Sequence, residues 1–305
     1  MNPMSFHACK LLAITLFLYS FAAGAQDLSP RAYWPAPVGT QVVTAGYSYM
    51  SGDIVPDRSL PLTGVDSSIN SMILGYRHTL NLWDRTTNIT VEAPYIDGTT
   101  VGTREGGLDL ERQYSGVGDL AVTLSVNILG APAMTKPEFR QKRGDFDHIL
   151  GFSVKLVAPT GKYDVHRLIN VGANRWAMKT ELGYIAVLNP KWVLETSLGA
   201  WFFEDNKDFL GMTKEQDPIV TLQGHLIHRF RPGLWASLDM NYYRGGRGKI
   251  GGRRLDDLQR DSKIGATLVF PFARRHVVKL GYSKGSINDS DENFDVFVIS
   301  YQQLF

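Results

Sequence analysis

Apolar residues in this chain recur at every second position, over stretches of about ten residues, along most of its length. Leu120, Val122, Leu124, Val126 and Ile128 alternate with Asp119, Ala121, Thr123, Ser125 and Asn127. Leu234, Ala236, Leu238, Met240 and Tyr242 alternate with Trp235, Ser237, Asp239, Asn241 and Tyr243. A period of two puts the first set on one face of a β-strand and the second on the other, whereas a helix would mix them. Twelve such segments can be read, at 38–50, 68–80, 85–96, 117–130, 147–158, 174–188, 192–203, 217–230, 234–244, 260–270, 276–285 and 293–305. The connections at 81–84, 189–191, 231–233 and 271–275 are tight, and Asn, Pro and Gly recur in them, as turns demand. Those on the alternate side are mostly longer and polar. One breaks the rule: 131–146 is long where a short turn is expected.

An even number of strands, short turns on one side and long loops on the other predict an all-β fold. The fold class is a transmembrane antiparallel up-and-down β-barrel of about twelve strands, with periplasmic turns and extracellular loops. Closure satisfies every backbone donor and acceptor in a hydrocarbon solvent that offers none. A soluble sandwich or lipocalin-like barrel would turn its apolar rows inward and show many charges outside. Here the polar rows mix charges with Gly, Ser, Thr and Asn. The apolar rows end in aromatics such as Tyr47, Tyr49, Tyr76, Trp192, Phe202, Tyr242, Phe270 and Tyr282, as interfacial girdles do. Lys plus Arg number 32 and Asp plus Glu 30, so no basic face points to a nucleic-acid partner.

Residues 1–25 read as a cleaved secretory signal peptide: Lys10, an apolar run over 11–23, and the small-x-small site Ala23-Gly24-Ala25. The apolar run falls short of the ~18 or more residues that span a bilayer. The only cysteine, Cys9, precedes that run, so neither a lipid anchor nor a disulfide is expected in the mature chain. Residues 26–37, with Tyr33, Trp34, Pro35 and Pro37, form a plug or a periplasmic tether, and 38–305 form the barrel. The last strand carries Phe297, Ile299, Tyr301 and Phe305 on one face, with Gln303 where an apolar residue is expected. Such a strand resembles the one by which the barrel assembly machinery recognises its substrates. The expected location is therefore the outer membrane of a Gram-negative bacterium.

Three short motifs sharpen this. Gly116-Val117-Gly118-Asp119 opens the fourth segment, Ala158-Pro159-Thr160-Gly161-Lys162-Tyr163-Asp164 follows the fifth, and Asn189-Pro190-Lys191-Trp192 turns into the seventh. Together with Phe305 they resemble the bacterial outer-membrane transporter family named for the meta-pathway of phenol degradation, over almost all of the mature chain. The resemblance implies an outer-membrane barrel that moves small hydrophobic molecules. It carries no catalytic or binding residues over to this chain.

The inward rows hold Arg77, Lys155, Arg175, Lys179, Lys263 and Lys279 against Glu92, Asp119, Glu181, Glu195 and Asp239, with His225 beside them. This near balance predicts a lumen without strong ion selectivity. Its charges either brace the wall as ion pairs or line the path of a permeant. In the loops, Arg244, Arg247, Lys249, Arg253 and Arg254 form a basic run that is either solvated or set against lipopolysaccharide phosphates, which guanidinium groups hold bidentately. The run 288–293, with Asp289, Asp291 and Glu292, is acidic; a solvated loop suits its spacing better than a cation site.

Gly281-Tyr282-Ser283-Lys284-Gly285 matches the nucleophile-elbow pattern, but it ends a barrel strand instead of leading from a strand into a helix. His225 and His228 fall on opposite strand faces and cannot share a metal. No enzyme, metal or cofactor is expected. The expected function is passive uptake of small hydrophobic or aromatic solutes. A closed structural or adhesion barrel is the alternative, and an outer-membrane lipid hydrolase the remote one.

Overall fold

The computed structural model describes residues 30–53, 62–104, 108–142, 144–285 and 293–305. The expected signal peptide at 1–25, the first residues of the N-terminal segment and nearly all of the acidic run at 288–293 lie outside the described residues.

The strands are β1 (Gln41–Gly52), β2 (Leu62–Leu82), β3 (Arg85–Arg104), β4 (Leu108–Val117), β5 (Leu120–Leu129), β6 (His148–Ala158), β7 (Ala177–Val187), β8 (Trp192–Phe203), β9 (Asn206–Phe209) and β10 (Met212–Gln216). They continue as β11 (Ile219–Arg231), β12 (Leu234–Gly245), β13 (Gly248–Ile250), β14 (Arg253–Arg254), β15 (Gln259–Ala273), β16 (His276–Gly285) and β17 (Phe294–Leu304). Among the described residues the one helix is α1 (Lys136–Lys142).

Thirteen strands join in one antiparallel sheet that closes through β1–β17 and β2–β3. β4 and β5 follow each other along β3: Tyr95 to Arg104 pair with β4, and Thr87 to Glu92 with β5. The thirteen strands thus fill twelve positions, the expected barrel. The alternation has the expected sense. On β12, Leu238 is 65% exposed on the outer face while its neighbour Asp239, inside, is 2% exposed. Tyr47, Tyr76, Leu74, Leu198, Phe202, Met240 and Phe297 are likewise exposed outside, where hydrocarbon meets them.

The tight turns are at the end where β1 begins and β17 finishes, which is the periplasmic end of such a barrel. One is built without glycine. Leu82 pairs with Arg85, leaving Trp83 and Asp84 as a two-residue loop with φ of 52° and 57°. That is the left-handed pair a type I′ hairpin needs, because its twist matches the strands.

The wall departs from expectation in two places. β2 and β3 have 21 and 20 residues, well beyond the expected 68–80 and 85–96. At ~3.3 Å per residue and a tilt near 40°, 21 residues rise about 53 Å, roughly twice the apolar band of such barrels. The extracellular ends of β2 and β3, with β4, therefore stand as a flange beyond the membrane. Second, the basic run is folded. β9, β10, β13 and β14 form a separate four-stranded extracellular sheet, β14-β13-β10-β9, built from two different loops. Its strands are only 2 to 5 residues long, and the pairing of β10 with β13 that joins its two hairpins links residues more than thirty positions apart, so no local periodicity announces it.

The long 131–146 connection holds α1. Thr135 and Glu138 cap it: the backbone N–H and the hydroxyl of Thr135 both donate to Glu138 Oε2, at 2.8 and 2.7 Å. These two bonds hold the Glu138 carboxyl below the usual range. A depressed folded pKa means the cap is intact above the unfolded carboxylate pKa and is lost as pH falls through the folded value. Protection of the 135–142 amides, corrected for the intrinsic exchange rate at each pH, should fall on acidification, and in Glu138→Ala it should be low already at neutral pH. Equal exchange in both proteins at neutral pH would discard the cap.

The barrel interior is layered. Its extracellular third holds an apolar cluster of Met50, Ile69, Ile96, Tyr114, Phe294 and Val296, joined by Ile169 and Phe209 from the loops above. The middle is polar. The periplasmic third holds Ile149, Ile185, Val193, Ile227, Trp235 and Val269, with Tyr33, Ala131, Met134 and Phe146 inserted from below.

Candidate functional site

The middle layer brings together the inward side chains of β2, β3, β6, β7, β8, β11 and β12. Glu181 is its centre. Lys179 Nζ lies 2.7 Å from Glu181 Oε2, and Gln223 Nε2 donates to the same oxygen at 3.0 Å. Lys155 Nζ pairs with Glu92 at 3.0 Å. His225 Nδ1 lies 2.8 Å from Asp239 Oδ1, whose other oxygen accepts from Thr267 Oγ1 at 2.7 Å. Arg77 Nε donates to Thr90 Oγ1 at 3.2 Å. Each strand delivers these groups because its polar positions share one parity, and the barrel makes that parity the inside.

This arrangement leaves a cavity of about 120 Å³ bordered by Glu92, Lys155, Lys179, Glu181, Glu195 and His225. That is room for several waters. Opposite charges alternate around it, so no ring of one sign exists to select ions.

The cavity is closed from below by the N-terminal segment. Tyr33 is buried, and its hydroxyl lies 2.9 Å from Ser153 Oγ and donates to Glu181 Oε1 at 3.1 Å. Its carbonyl accepts from Asn127 Nδ2 at 3.0 Å. The Arg31 amide donates to Glu195 Oε2 at 2.6 Å. The Arg31 guanidinium lies 4.3 Å from the Trp34 ring, and Trp34 meets Phe146 edge-on at 6.1 Å. Met134 accepts from the Val38 amide at 2.8 Å, so the N-terminal segment and the 131–146 connection hold each other. The ring of Tyr33 lies on Gly151 of β6 and Gly183 of β7, which face each other across the strand pair. A Cβ on either would come within 2.2 or 2.1 Å of a ring atom. Glycine is required there by that close approach.

The other inward residues serve elsewhere. Asp119 sits in the break between β4 and β5 and ties down an extracellular loop: its two oxygens accept the amides of Gly161 and Ala173 at 2.7 and 2.8 Å. Arg175 bonds Gln216 and lies 4.7 Å from the Phe203 ring, under the extracellular sheet. Lys263 faces Phe294 at 5.9 Å, and Lys279 is half-buried between Val269 and Ser300. Phe297, Ile299 and Tyr301 point outward on β17, and the Phe305 amide bonds the Gln41 carbonyl at 2.9 Å. Ser283 is buried near the end of β16, and the strand continues past it to Gly285, so it stands at no strand-to-helix elbow.

The loop cations are largely engaged within the extracellular sheet. Lys249 pairs with Glu215 at 2.8 Å, Arg254 with Asp217 at 2.5 Å and Arg247 with Asp256 at 3.7 Å; Arg253 is engaged as well.

Residues 39–294 match the protein family described as "Putative MetA-pathway of phenol degradation". The chain belongs to this family. Its two glycine-rich motifs meet at Asp119, since Gly118-Asp119 and Thr160-Gly161 are the segments that this carboxylate joins. Among solved structures, an outer-membrane channel from Pseudomonas putida F1 has the same fold, with a TM-score of 0.74 and 22% identity over 92% of this chain and 100% of the other. The transport unit of the autotransporter AIDA-I from Escherichia coli aligns at a TM-score of 0.52 and 11% identity over 98% and 97% of the two chains. No curated protein matches this chain. This family member is an outer-membrane β-barrel.

Two features of the site carry no mark in strand periodicity: the glycine seat for Tyr33 and the Asp119 clasp. Gly151 and Gly183, small residues on the inward parity of adjacent strands, were the available signal for the first.

Proposed function

We propose that this family member is a narrow outer-membrane channel for passive uptake of small apolar or aromatic solutes, closed at rest by its N-terminal segment. The carrying observation is the apolar extracellular third of the lumen, where Met50, Ile69, Ile96, Phe294 and Val296 face inward. A water-filled porin has a polar interior. An apolar mouth repels hydrated sugars and ions and accepts solutes that gain by leaving water, at ~25 cal/mol per Å² of apolar surface buried. The family description and the channel relative support the reading. The balanced mid-lumen charges add no preference between cations and anions.

The test is flux into liposomes holding the folded protein. Relative to protein-free liposomes, the protein should speed entry of benzoate and of polar aromatic solutes more than that of arabinose of similar size. Replacing Met50 and Ile69 together by serine should reverse that order. A barrel with no flux of any solute, including after removal of residues 26–37, would point instead to a closed structural role.

A further inference from the structure

Four cations of the basic run are held within the extracellular sheet, but its first member, Arg244, is placed differently, and so is Arg260. Arg244 ends the outward row of β12, and Arg260 begins the outward row of β15. They are direct cross-strand partners, and both are exposed. Among the described residues neither guanidinium has a hydrogen-bond or ion-pair partner. The carboxylate next in sequence, Asp261, is buried inside and accepts from Tyr243.

Like charges directly opposite on one face bring Cβ atoms within ~5.5 Å and destabilise the pair. Among the described residues nothing in the wall offsets this repulsion, so an external anion is the natural partner. The height of the pair identifies which. Below Arg244 on the same face of β12 stand Tyr242, Met240, Leu238, Ala236 and Leu234, an unbroken membrane-facing row. From Leu234 to Arg244 the strand advances about 33 Å at ~3.3 Å per residue, or about 25 Å in height at a ~40° tilt, the full thickness of the apolar band. Tyr242 stands at the interface, and the two arginines lie just above it. On β11, Val220 flanks Arg244 and is exposed, offering apolar surface beside the charge.

We propose that Arg244 and Arg260 form a lipopolysaccharide site on the outer wall. The two guanidiniums clamp one phosphate of the glucosamine headgroup, and the acyl chains lie down the Leu234–Tyr242 face and against Val220. Two planar forks converging on one phosphate offer charge-assisted bonds that two lysines could not reproduce with the same geometry. The site lies outside the lumen, so it is independent of the solute path.

The purified barrel in detergent is titrated with lipid A carrying both phosphates, with fully dephosphorylated lipid A and with inorganic phosphate. Bound lipid is counted by native mass spectrometry. The bisphosphorylated lipid should bind, and binding should weaken about tenfold or more in R244Q/R260Q. The substitutions K249Q and R254Q should leave it unchanged. Heat-modifiable gel migration verifies that each variant is folded. If R244Q/R260Q does not fold, R244K/R260K, which keeps the charge, should still show a several-fold loss. Equal binding by wild type and the substituted protein overturns the proposal, as does equal binding of dephosphorylated lipid A. Inorganic phosphate competing at millimolar level, with no preference for the lipid, would leave an anion site and remove the lipid.

Discussion

Replacing Gly183 with alanine should open this barrel without unfolding it. The new methyl carbon would stand 2.1 Å from a Tyr33 ring carbon, so the ring must leave its seat. Overpacking of this kind costs about 1–3 kcal/mol. What holds Tyr33 in place is its buried ring, two hydroxyl contacts and the Asn127 amide on its carbonyl, each hydrogen bond worth about 1 kcal/mol. A shift of about 3 kcal/mol changes the ratio of inserted to released segment by about a hundredfold. Solute flux through reconstituted G183A should therefore rise by at least about tenfold, and Gly151→Ala should act alike. Tyr33→Ala should open the barrel too, by removing the ring instead of its seat. Unchanged flux in all three proteins would mean that the N-terminal segment does not control the lumen.

Asp119→Ala should have the second large effect, at the other end. Two amides, of Gly161 and Ala173, would lose their carboxylate partner. Hydrogen bonds to a charged group contribute about 1.5–3 kcal/mol each, so the loop they tether would lose about 3–6 kcal/mol of local stability. That loop carries Ile169 into the apolar mouth. Limited proteolysis should cut within 159–176 in the variant and not in the wild type, while the barrel keeps its heat-modifiable migration. Asp119→Asn retains one acceptor oxygen and should fall between the two. An uncut loop in Asp119→Ala would assign the tether to other contacts, such as the Lys162 amide on the Val117 carbonyl at 2.8 Å.

The wall was legible because its rule is local. Leu234 to Tyr243 states, residue by residue, which side of the sheet each side chain takes, and parity alone put Glu92, Lys155, Lys179, Glu181, Glu195, His225 and Asp239 inside. What parity cannot say is what an inward group touches. Asp119 has the correct parity, yet its carboxylate is engaged by a loop 42 and 54 residues further on. The extracellular sheet was illegible for a related reason: β10 and β13 come from separate loops and satisfy each other only once the wall has brought them together. Helix α1 did have a local mark, Thr135-x-x-Glu138, inside a connection whose length alone had drawn notice. The basic run shows the limit of reading charge by sequence density. Most of the dense cluster is neutralised within its own sheet, while the cationic pair left facing outward joins its first arginine, Arg244, to Arg260, sixteen positions on along the neighbouring strand.

The seam between β1 and β17 has its own consequence for how the molecule comes into being. Every other join in the wall links strands that neighbour each other along the chain, or nearly so, and can zip as the polypeptide arrives. The seam alone joins Val42 to Leu304 and Gly52 to Phe294. Loop-closure entropy grows only slowly with the length enclosed, so the distance is no great thermodynamic obstacle, but it is a kinetic one. Until that pairing forms, two edges stand unpaired in a solvent that cannot satisfy them. A growing sheet of eleven strands is thus no partial product. It must be shielded by something with edges of its own, which makes birth of this barrel a handover between two sheets instead of a solitary folding event.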